Sequence, residues 1–302
     1  MGPLFRAISW FFSRLPARWA EAWGAMLGFF AGRVIRLRRR RADAHLARAL
    51  HLEDEPVART RILRGMYRHL GLCLAEFLRL PTWTRAKIDA CIELDHFERL
   101  QSAIAAGRGV IVVTGHFGNW DLLACLSALL GVPLHVVTRE LKGRGANRAW
   151  MQARERTGLK LHPAAGSAGA LLAALRRGEV VAFVIDQHMP EKYGVPVPFF
   201  GRLASTIDAP AVLASRTGAP VLPAFLFRQG FERHRLWVGE PIALAEGPRR
   251  EAIVASTARF SAALEAVVRQ HPEQWIWMHR RWKLADRQEA EAHSTWRGGG
   301  NP

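Results

Sequence analysis

The stretch Thr114-Gly115-His116-Phe117-Gly118-Asn119-Trp120-Asp121-Leu122-Leu123 sets an imidazole and a carboxylate five positions apart, with glycines before and between them. A histidine can take up a proton near neutral pH. A carboxylate bonded to one ring nitrogen fixes the tautomer and stabilises the imidazolium, leaving the other nitrogen free as a general base. This is the logic of a hydrolytic triad with the nucleophile supplied by the substrate. As bare letters the His-x4-Asp spacing is a weak pattern, and a structural histidine followed by a first-turn helix acid would read the same way. Its location gives it weight. On one continuous helix, positions five apart point in different directions, whereas across a strand–turn–helix junction they can converge. Gly115 and Gly118 permit a tight turn and close substrate approach. Asn119 is a helix N-cap candidate, and Asp121 then falls in the first turn.

The neighbouring sequence supplies such a junction. Residues 110–114 (VIVVT) are a short β-branched run bounded by glycines, the pattern of a buried parallel strand. Similar runs recur at 134–138, 180–185, 219–227 and 234–239, with helical stretches at 119–130, 143–157, 167–177, 204–217 and 249–270. Upstream, apolar residues at helical spacing (Ile62, Met66, Leu70, Leu74, Phe77, Leu78) predict a helix over 57–80 ended by Pro81, and 94–106 reads as another. Strands alternating with helices imply an α/β layered sheet covered on both faces. Sites in such sheets form at the carboxyl ends of strands, which is where His116 lies.

Charge and aromatic content narrow the partners. Lys and Arg number 43 against 26 Asp and Glu, a formal net charge of +17. That surface attracts polyanions: nucleic acid, anionic lipid, or an acidic carrier protein. No zinc-finger spacing, RNP-type aromatic run or hinged pair of basic helices supports nucleic acid. Eleven Trp stand against two Tyr, a bias suited to sites with one apolar and one wet edge, bilayer interfaces included. Cys73, Cys91 and Cys125 are odd in number and widely spaced, against both a disulfide framework and a zinc site. No metal-ligand cluster is evident, and no cofactor is implied.

Residues 3–32 are apolar but interrupted by Arg6, Arg14, Arg18 and Glu21, and a membrane span needs ~20 apolar residues. Two amphipathic segments broken near Pro16 fit better, either lying on a membrane or packing on the chain's own core. The run Arg33-Val-Ile-Arg36-Leu-Arg38-Arg39-Arg40-Arg41 follows at once; a charge run usually marks a solvated helix face, but beside an apolar amphipathic segment it reads better as a contact with anionic lipid on a cytoplasmic leaflet.

The block HFGNWDLL resembles the catalytic block of the lipid A biosynthesis lauroyl/myristoyl acyltransferase family, within the wider lysophospholipid acyltransferase superfamily. Asp186-Gln187 after an apolar strand, then Val195-Pro-Val-Pro-Phe-Phe-Gly-Arg202 and Thr206, is similar to its second region. Pro272-Glu-Gln-Trp-Ile-Trp-Met-His-Arg-Arg-Trp-Lys283 is similar to its C-terminal signature. These blocks run in the expected order from about residue 30 to 285.

The resemblance implies that His116 deprotonates an acceptor hydroxyl, Asp121 orients it, and the alkoxide attacks an acyl thioester. Backbone N–H groups near Gly118 and Asn119 are candidates to hold the oxyanion. Arg154 matches a family arginine that would bind the oxyanion or a substrate phosphate; the plain reading is a solvated helix arginine. Asp186 is either a second acid near His116 or a strand-end turn residue, with Gln187 beside it. Phe199, Phe200 and Gly201 are expected to shape an acyl groove, and Arg202 to meet a headgroup phosphate. Trp275, Trp277, His279, Arg280, Arg281 and Lys283 support the sheet or face a membrane. Two departures stand out: many lipid A acyltransferases carry Glu where this chain has Asp121, and the Phe-Pro-Glu-Gly-type phosphate motif of glycerophosphate acyltransferases is absent.

The expectation is therefore a single α/β acyltransferase domain over 42–285, its mostly parallel sheet flanked by helices. A membrane-associating segment over 1–41 precedes it and a flexible tail over 286–302 follows. The expected donor is acyl carrier protein, with coenzyme A as fallback. The expected acceptor is a Kdo-bearing lipid A precursor; another glycolipid, an aminolipid or a lysophospholipid are alternatives. The expected setting is the cytoplasmic face of a bacterial inner membrane, peripheral or held by one N-terminal helix, with anionic lipid as partner and no nucleic acid. A non-catalytic basic membrane adaptor is the rival from a different class.

Overall fold

The β-branched run at Val110–Thr114 is the middle strand of a seven-stranded sheet. The computed structural model describes residues 3–138, 144–163 and 166–298. The chain begins with helices α1 (Pro3–Arg14), α2 (Ala17–Phe29), α3 (Arg39–Leu50), α4 (Pro56–Leu78) and α5 (Arg85–Cys91). It continues through β1 (Ile92–Asp95), α6 (Phe97–Ala105), β2 (Val110–Thr114), α7 (Trp120–Leu126), β3 (Leu134–Thr138), α8 (Arg144–Glu155), β4 (Lys160–Pro163) and α9 (Ala168–Arg176). The last part holds β5 (Val180–Val184), β6 (Gly194–Phe199), β7 (Arg202–Ile207), α10 (Ala209–Thr217), β8 (Val221–Gly230), β9 (Arg233–Val238), α11 (Arg249–Gln270) and α12 (Lys283–Gly298).

The sheet order is β1-β9-β8-β2-β5-β3-β4, parallel throughout except for the β8–β9 hairpin. Side chains alternate between its faces with period two. Ile111, Val113, Val181, Phe183, Val221 and Phe225 face one core with α9, α10 and α11. Val110, Val112, Ala182, Leu222 and Leu226 face the other, with α6 and α7. Both faces are covered, as the unbroken apolar strands require.

The sequence does not predict strands β1, β4 and β6, residues 94–95 belong to β1 and not to the helix read over 94–106, and two further segments take another form. Residues 204–207 are not the start of a helix but the end of the second strand of the antiparallel β6–β7 hairpin, and the helix starts only at Ala209. Residues 286–298, expected to be loose, continue as α12, where Asp286 and Glu289 accept Arg202 Nη2 at 3.1 and 2.6 Å.

The N-terminal helices do break at Pro16, and the two faces of α2 differ. Ala20, Gly24 and Gly28 are buried against α4. A Cβ on Gly28 would overlap the carbonyl of Tyr67, and one on Gly71 that of Gly24, so the two backbones are in direct contact. The other face leaves Trp19, Trp23, Met26, Leu27, Phe29 and Phe30 exposed, alongside Trp10 and Phe11 of α1. No described helix is long and apolar enough to cross a membrane.

Candidate active site

His116 sits just past the carboxyl end of β2 and meets Asp186, just past the end of the adjacent β5. Its Nδ1–H donates to Asp186 Oδ1 at 2.7 Å, and its backbone N–H to Oδ2 at 2.7 Å. Trp275 Nε1 donates to the same Oδ2 at 2.8 Å. The Asp186 carboxylate is wholly buried, so these contacts take the place of water. A Cβ at Gly115 would lie 2.7 Å from Leu264 Cδ1 and 3.3 Å from Asp186 Oδ2, so a side chain there would have to displace the Leu264 side chain. The imidazole's other nitrogen, Nε2, faces the Gln187 amide at 3.2 Å. Trp120 and His279 pack on the His116 ring, with centroids at 5.2 and 4.9 Å.

The electrostatics follow from this cage. Burial works against the charged form of both partners, but their mutual attraction wins. The His116 pKa lies above its ordinary value, chiefly through Asp186 and then Asp121. The Asp186 carboxyl lies well below the usual carboxylate range, held there by His116 and by the Trp275 hydrogen bond. His279 is pushed down to about 4 by burial and by His116, so it stands neutral beside the His116 ring.

Asp121 is not the hydrogen-bond partner that the His-x4-Asp spacing suggested. It is buried in the first turn of α7, and Arg154 Nη2 of α8 lies 2.7 Å from its Oδ1. Burial raises its pKa against the opposing pull of Arg154 and His116. It reaches His116 through space, as a second negative charge. Arg154, with an ion-pair partner and little exposure, is not a solvated arginine.

The turn itself is braced from behind. Asn119 Oδ1 caps α7 by accepting Leu122 N–H at 3.1 Å, and Asn119 Nδ2 donates to Glu76 Oε2 at 2.6 Å. Glu76, wholly buried on α4, is gripped by Nη1 and Nη2 of Arg228 and accepts Glu232 N–H at 2.7 Å. His69 Nε2 donates to Gly118 O at 3.1 Å, while Arg228 Nε donates to its Nδ1 at 3.1 Å. Burial drives the His69 pKa down to about 3. Arg228 holds Glu76 below the usual carboxylate range despite its burial. The sequence reading missed this quartet. Its one local trace is a polar stripe, His69-Cys73-Glu76, at helical spacing on an otherwise apolar α4 face.

Several expected roles move. The backbone N–H groups of Gly118 and Asn119 are already spent on Gln274 O (2.9 Å) and Leu226 O (3.1 Å), so they are not open to an oxyanion. Phe199 and Phe200 do not line a groove: they are buried against Trp275, Trp277 and Trp282 at the β6–β7 turn, with Gly201 completing that turn at φ +71°. Arg202 pairs through Nη2 with Asp286 and Glu289 and stacks 5.9 Å over Trp282, which ties it to α12. Trp275 and Trp277 are core residues, as the sheet-supporting reading has it, and so is Trp282. Arg281, also buried, donates to Gln187 O, Ser205 O and Thr206 Oγ1 at 3.3, 3.1 and 2.7 Å, tying Gln187 in place.

Two cavities flank the histidine. On the Trp120 side a narrow apolar fissure of about 60 Å³ runs between the sheet and helices α6 and α7, lined by Val112, Ala124, Val136, Ala182 and Leu236 among others. Thr114, Ser127 and Arg154 are the polar residues on its wall. On the Gln187–His279 side lies an open basic depression of about 400 Å³, bordered by Arg38, Arg41, Arg280 and Lys283.

A doubly covered α/β sheet with a carboxylate-bound histidine at its strand ends, between an apolar slot and a cationic bowl, defines an enzyme suited to moving apolar groups between amphiphilic substrates. Residues 4–284 match the family described as bacterial lipid A biosynthesis acyltransferase, and the chain belongs to that family of acyltransferases. It is 28% identical over 224 residues to a phosphatidylinositol mannoside acyltransferase of Mycobacterium tuberculosis (strain CDC 1551 / Oshkosh), covering 71% of this chain and 68% of that one. It is 24% identical over 281 residues to the lipid A biosynthesis palmitoleoyltransferase of Escherichia coli (strain K12), covering 91% and 89%. A lipid A biosynthesis myristoyltransferase of the same strain is 24% identical over 267 residues, covering 87% and 80%.

Proposed function

We propose that this acyltransferase moves a fatty acyl group from an acyl carrier protein thioester to a hydroxyl of a membrane lipid, with a Kdo-bearing lipid A precursor as the first-choice acceptor. The observation that carries the reading is the position of His116, bonded to a buried carboxylate between an apolar slot and a cationic bowl. The acyl chain enters the fissure, which widens to admit it, and the thioester carbon stops at its mouth by Trp120. The acceptor hydroxyl arrives from the bowl side and displaces the Gln187 amide from Nε2.

His116 Nε2 then takes the hydroxyl proton while the oxygen forms its bond to the thioester carbon. Asp186, ionised and fixed on Nδ1, stabilises the imidazolium that results. The negative charge on the former carbonyl oxygen falls near Arg154 and the Thr114 hydroxyl, a group with no hydrogen-bond partner among the described residues. Collapse of the tetrahedral intermediate breaks the carbon–sulfur bond, and the departing thiolate recovers the proton from His116. The ester and a free thiol are the products.

The exposed Trp10, Trp19 and Trp23 with the arginines that follow suit a helix pair lying on the cytoplasmic face of an inner membrane. A charge of +17 suits an acidic carrier as donor. A phosphatidylinositol mannoside or related glycolipid is the second acceptor reading, favoured by the similarity to the mycobacterial enzyme. The intact His116–Asp186 pair weighs against a non-catalytic adaptor.

The test is transfer of a labelled acyl group from acyl carrier protein to a Kdo-lipid A precursor and, in parallel, to a phosphatidylinositol mannoside, with wild type and His116→Ala. Transfer to one acceptor that collapses in the variant identifies acceptor and base together. Equal transfer by both proteins removes His116 as the base.

A further inference from the structure

The cationic bowl beside His116 is assembled from opposite ends of the chain. Arg38 and Arg41 reach it from the start of α3, and Arg280 and Lys283 from the segment entering α12. Its floor includes Gln187 and His279, the two residues that touch the His116 ring from that side. Like charges brought together without a counterion repel. Among the described residues none of these four cations has a carboxylate within ion-pair distance, whereas Arg202 and Arg48 nearby do. Asp286 and Glu289 line an adjoining depression with Arg41, Arg280 and Lys283, and both are engaged by Arg202 and Arg48. The Arg41 pKa is lowered by burial and by Arg280 and Arg38, with Asp286 opposing.

The backbone that presents Arg38 is held in an unusual form. Arg36 and Arg38 both adopt the left-handed conformation, at φ +53° and +50°, which costs energy for residues other than glycine. A π-helical turn at Phe30–Val34 precedes them. Leu37 N–H donates to Ala31 O at 2.9 Å and Tyr67 Oη to Leu37 O at 2.5 Å, which pins the corner. A solvated charge run would need no such corner. Strained non-glycine backbone persists where the surroundings enforce it, and it gathers at functional sites.

We propose that Arg38, Arg41, Arg280 and Lys283 form a phosphate-binding site for the acceptor lipid, holding its headgroup so that the hydroxyl lies at His116 Nε2. The N-terminal segment is therefore part of the substrate site as well as a membrane-facing surface. The phosphate is the acceptor's and not the carrier's. A phosphopantetheine arm carries its phosphate at the far end of a long chain from the thioester, while this bowl adjoins the catalytic ring. The lipid identity rests on the acyl-transfer reading; the anion site does not.

The experiment has two arms on the full chain in zwitterionic micelles. Calorimetric titration with inorganic pyrophosphate reads the anion site without turnover. Arg38→Ala/Arg41→Ala and Arg280→Ala/Lys283→Ala should each weaken binding roughly tenfold or more, as expected for lost charge-assisted hydrogen bonds. Arg249→Ala/Arg250→Ala, which removes the same charge from a neighbouring groove, should leave it unchanged. No binding by wild type, or equal weakening by all three pairs, overturns the site.

The second arm compares a phosphorylated glycolipid acceptor with its phosphatase-treated form. The bowl variants should raise KM for the phosphorylated acceptor roughly tenfold or more, with kcat and KM for acyl carrier protein within about threefold. The dephosphorylated acceptor should not tell wild type from variant. A rise in KM for the carrier instead assigns the bowl to the donor and refutes the proposal. If wild type transfers to neither lipid, the function reading fails while the pyrophosphate arm still judges the anion site.

Discussion

Two buried carboxylates lie near His116, and they do different work. Asp186 is fixed by three donors, one of them the imidazole itself. Asp121, five residues from His116 in sequence, is turned toward Arg154 across the fissure mouth. In the proposed reaction the first sets the tautomer and stabilises the imidazolium. The second adds field and anchors the arginine that would meet the oxyanion. Nearness in sequence put the acid in the neighbourhood; the parallel pairing of β2 with β5 decided which acid touches the ring.

The sharpest way to break that contrast is Asp186→Asn. It should lower kcat by ~10²–10⁴-fold, the scale of a lost acid–base arrangement. The pH profile gives the sign independently. Activity needs neutral His116, so the rate falls as pH drops through its raised pKa. Removing the charge that raises that pKa shifts the acid limb to lower pH. A lower rate with an unmoved limb would mean that Asp186 does not govern the imidazole's charge.

Next in size is Glu76→Gln, which leaves Arg228 buried without its counter-charge. A loss of about 3–5 kcal/mol in denaturant unfolding is expected, with kcat of the remaining folded enzyme reduced less than in Asp186→Asn. An unchanged midpoint would show the brace to be dispensable. Asp121→Asn should fall between the two in character. We expect roughly a tenfold loss in kcat as Arg154 loses its anchor, a smaller downward shift of the acid limb than Asp186→Asn gives, and a lowered Tm. A larger shift than Asp186→Asn would invert the assignment.

The slot is tested by preference and not by rate. Ala124→Leu or Ala182→Leu should move acyl preference toward shorter chains by roughly 10–100-fold in relative kcat/KM, since pocket discrimination per methylene is worth ~1–3 kcal/mol. Competition between labelled thioesters of different length reads it directly. An unchanged preference would place the chain elsewhere.

Much of the frame was legible because its signals are local. The β-branched runs at 110–114 and 134–138 return as strands with the same ends, and the 3.6-residue periodicity of α4 and α11 survives intact. β1 and β4 were not legible: each has four residues, mostly unburied, with little apolar pattern to see. The β6–β7 hairpin was hidden by Pro196 and Pro198 and by the Ala-Ser-Thr stretch, which reads equally well as a helix start. In the site, His116 and Asn119 could be placed because their roles depend on a turn within one short segment. The Asp186 contact, the Glu76–Arg228 brace and the bowl join residues far apart in sequence, and no spacing rule connects them. The aromatic pair at 199–200 misled for a related reason: apolar side chains after a strand suit a groove or a core equally, and only the C-terminal tryptophans packed on them decide between the two.

The most direct test of the histidine's wiring is proton NMR of the His116 Nδ1–H, labelled selectively with nitrogen-15, in wild type and in the two asparagine variants. A downfield, exchange-protected resonance should be present in wild type, persist in Asp121→Asn and disappear in Asp186→Asn. Loss of the signal in Asp121→Asn with retention in Asp186→Asn would contradict the pairing and return the catalytic dyad to His116 and Asp121.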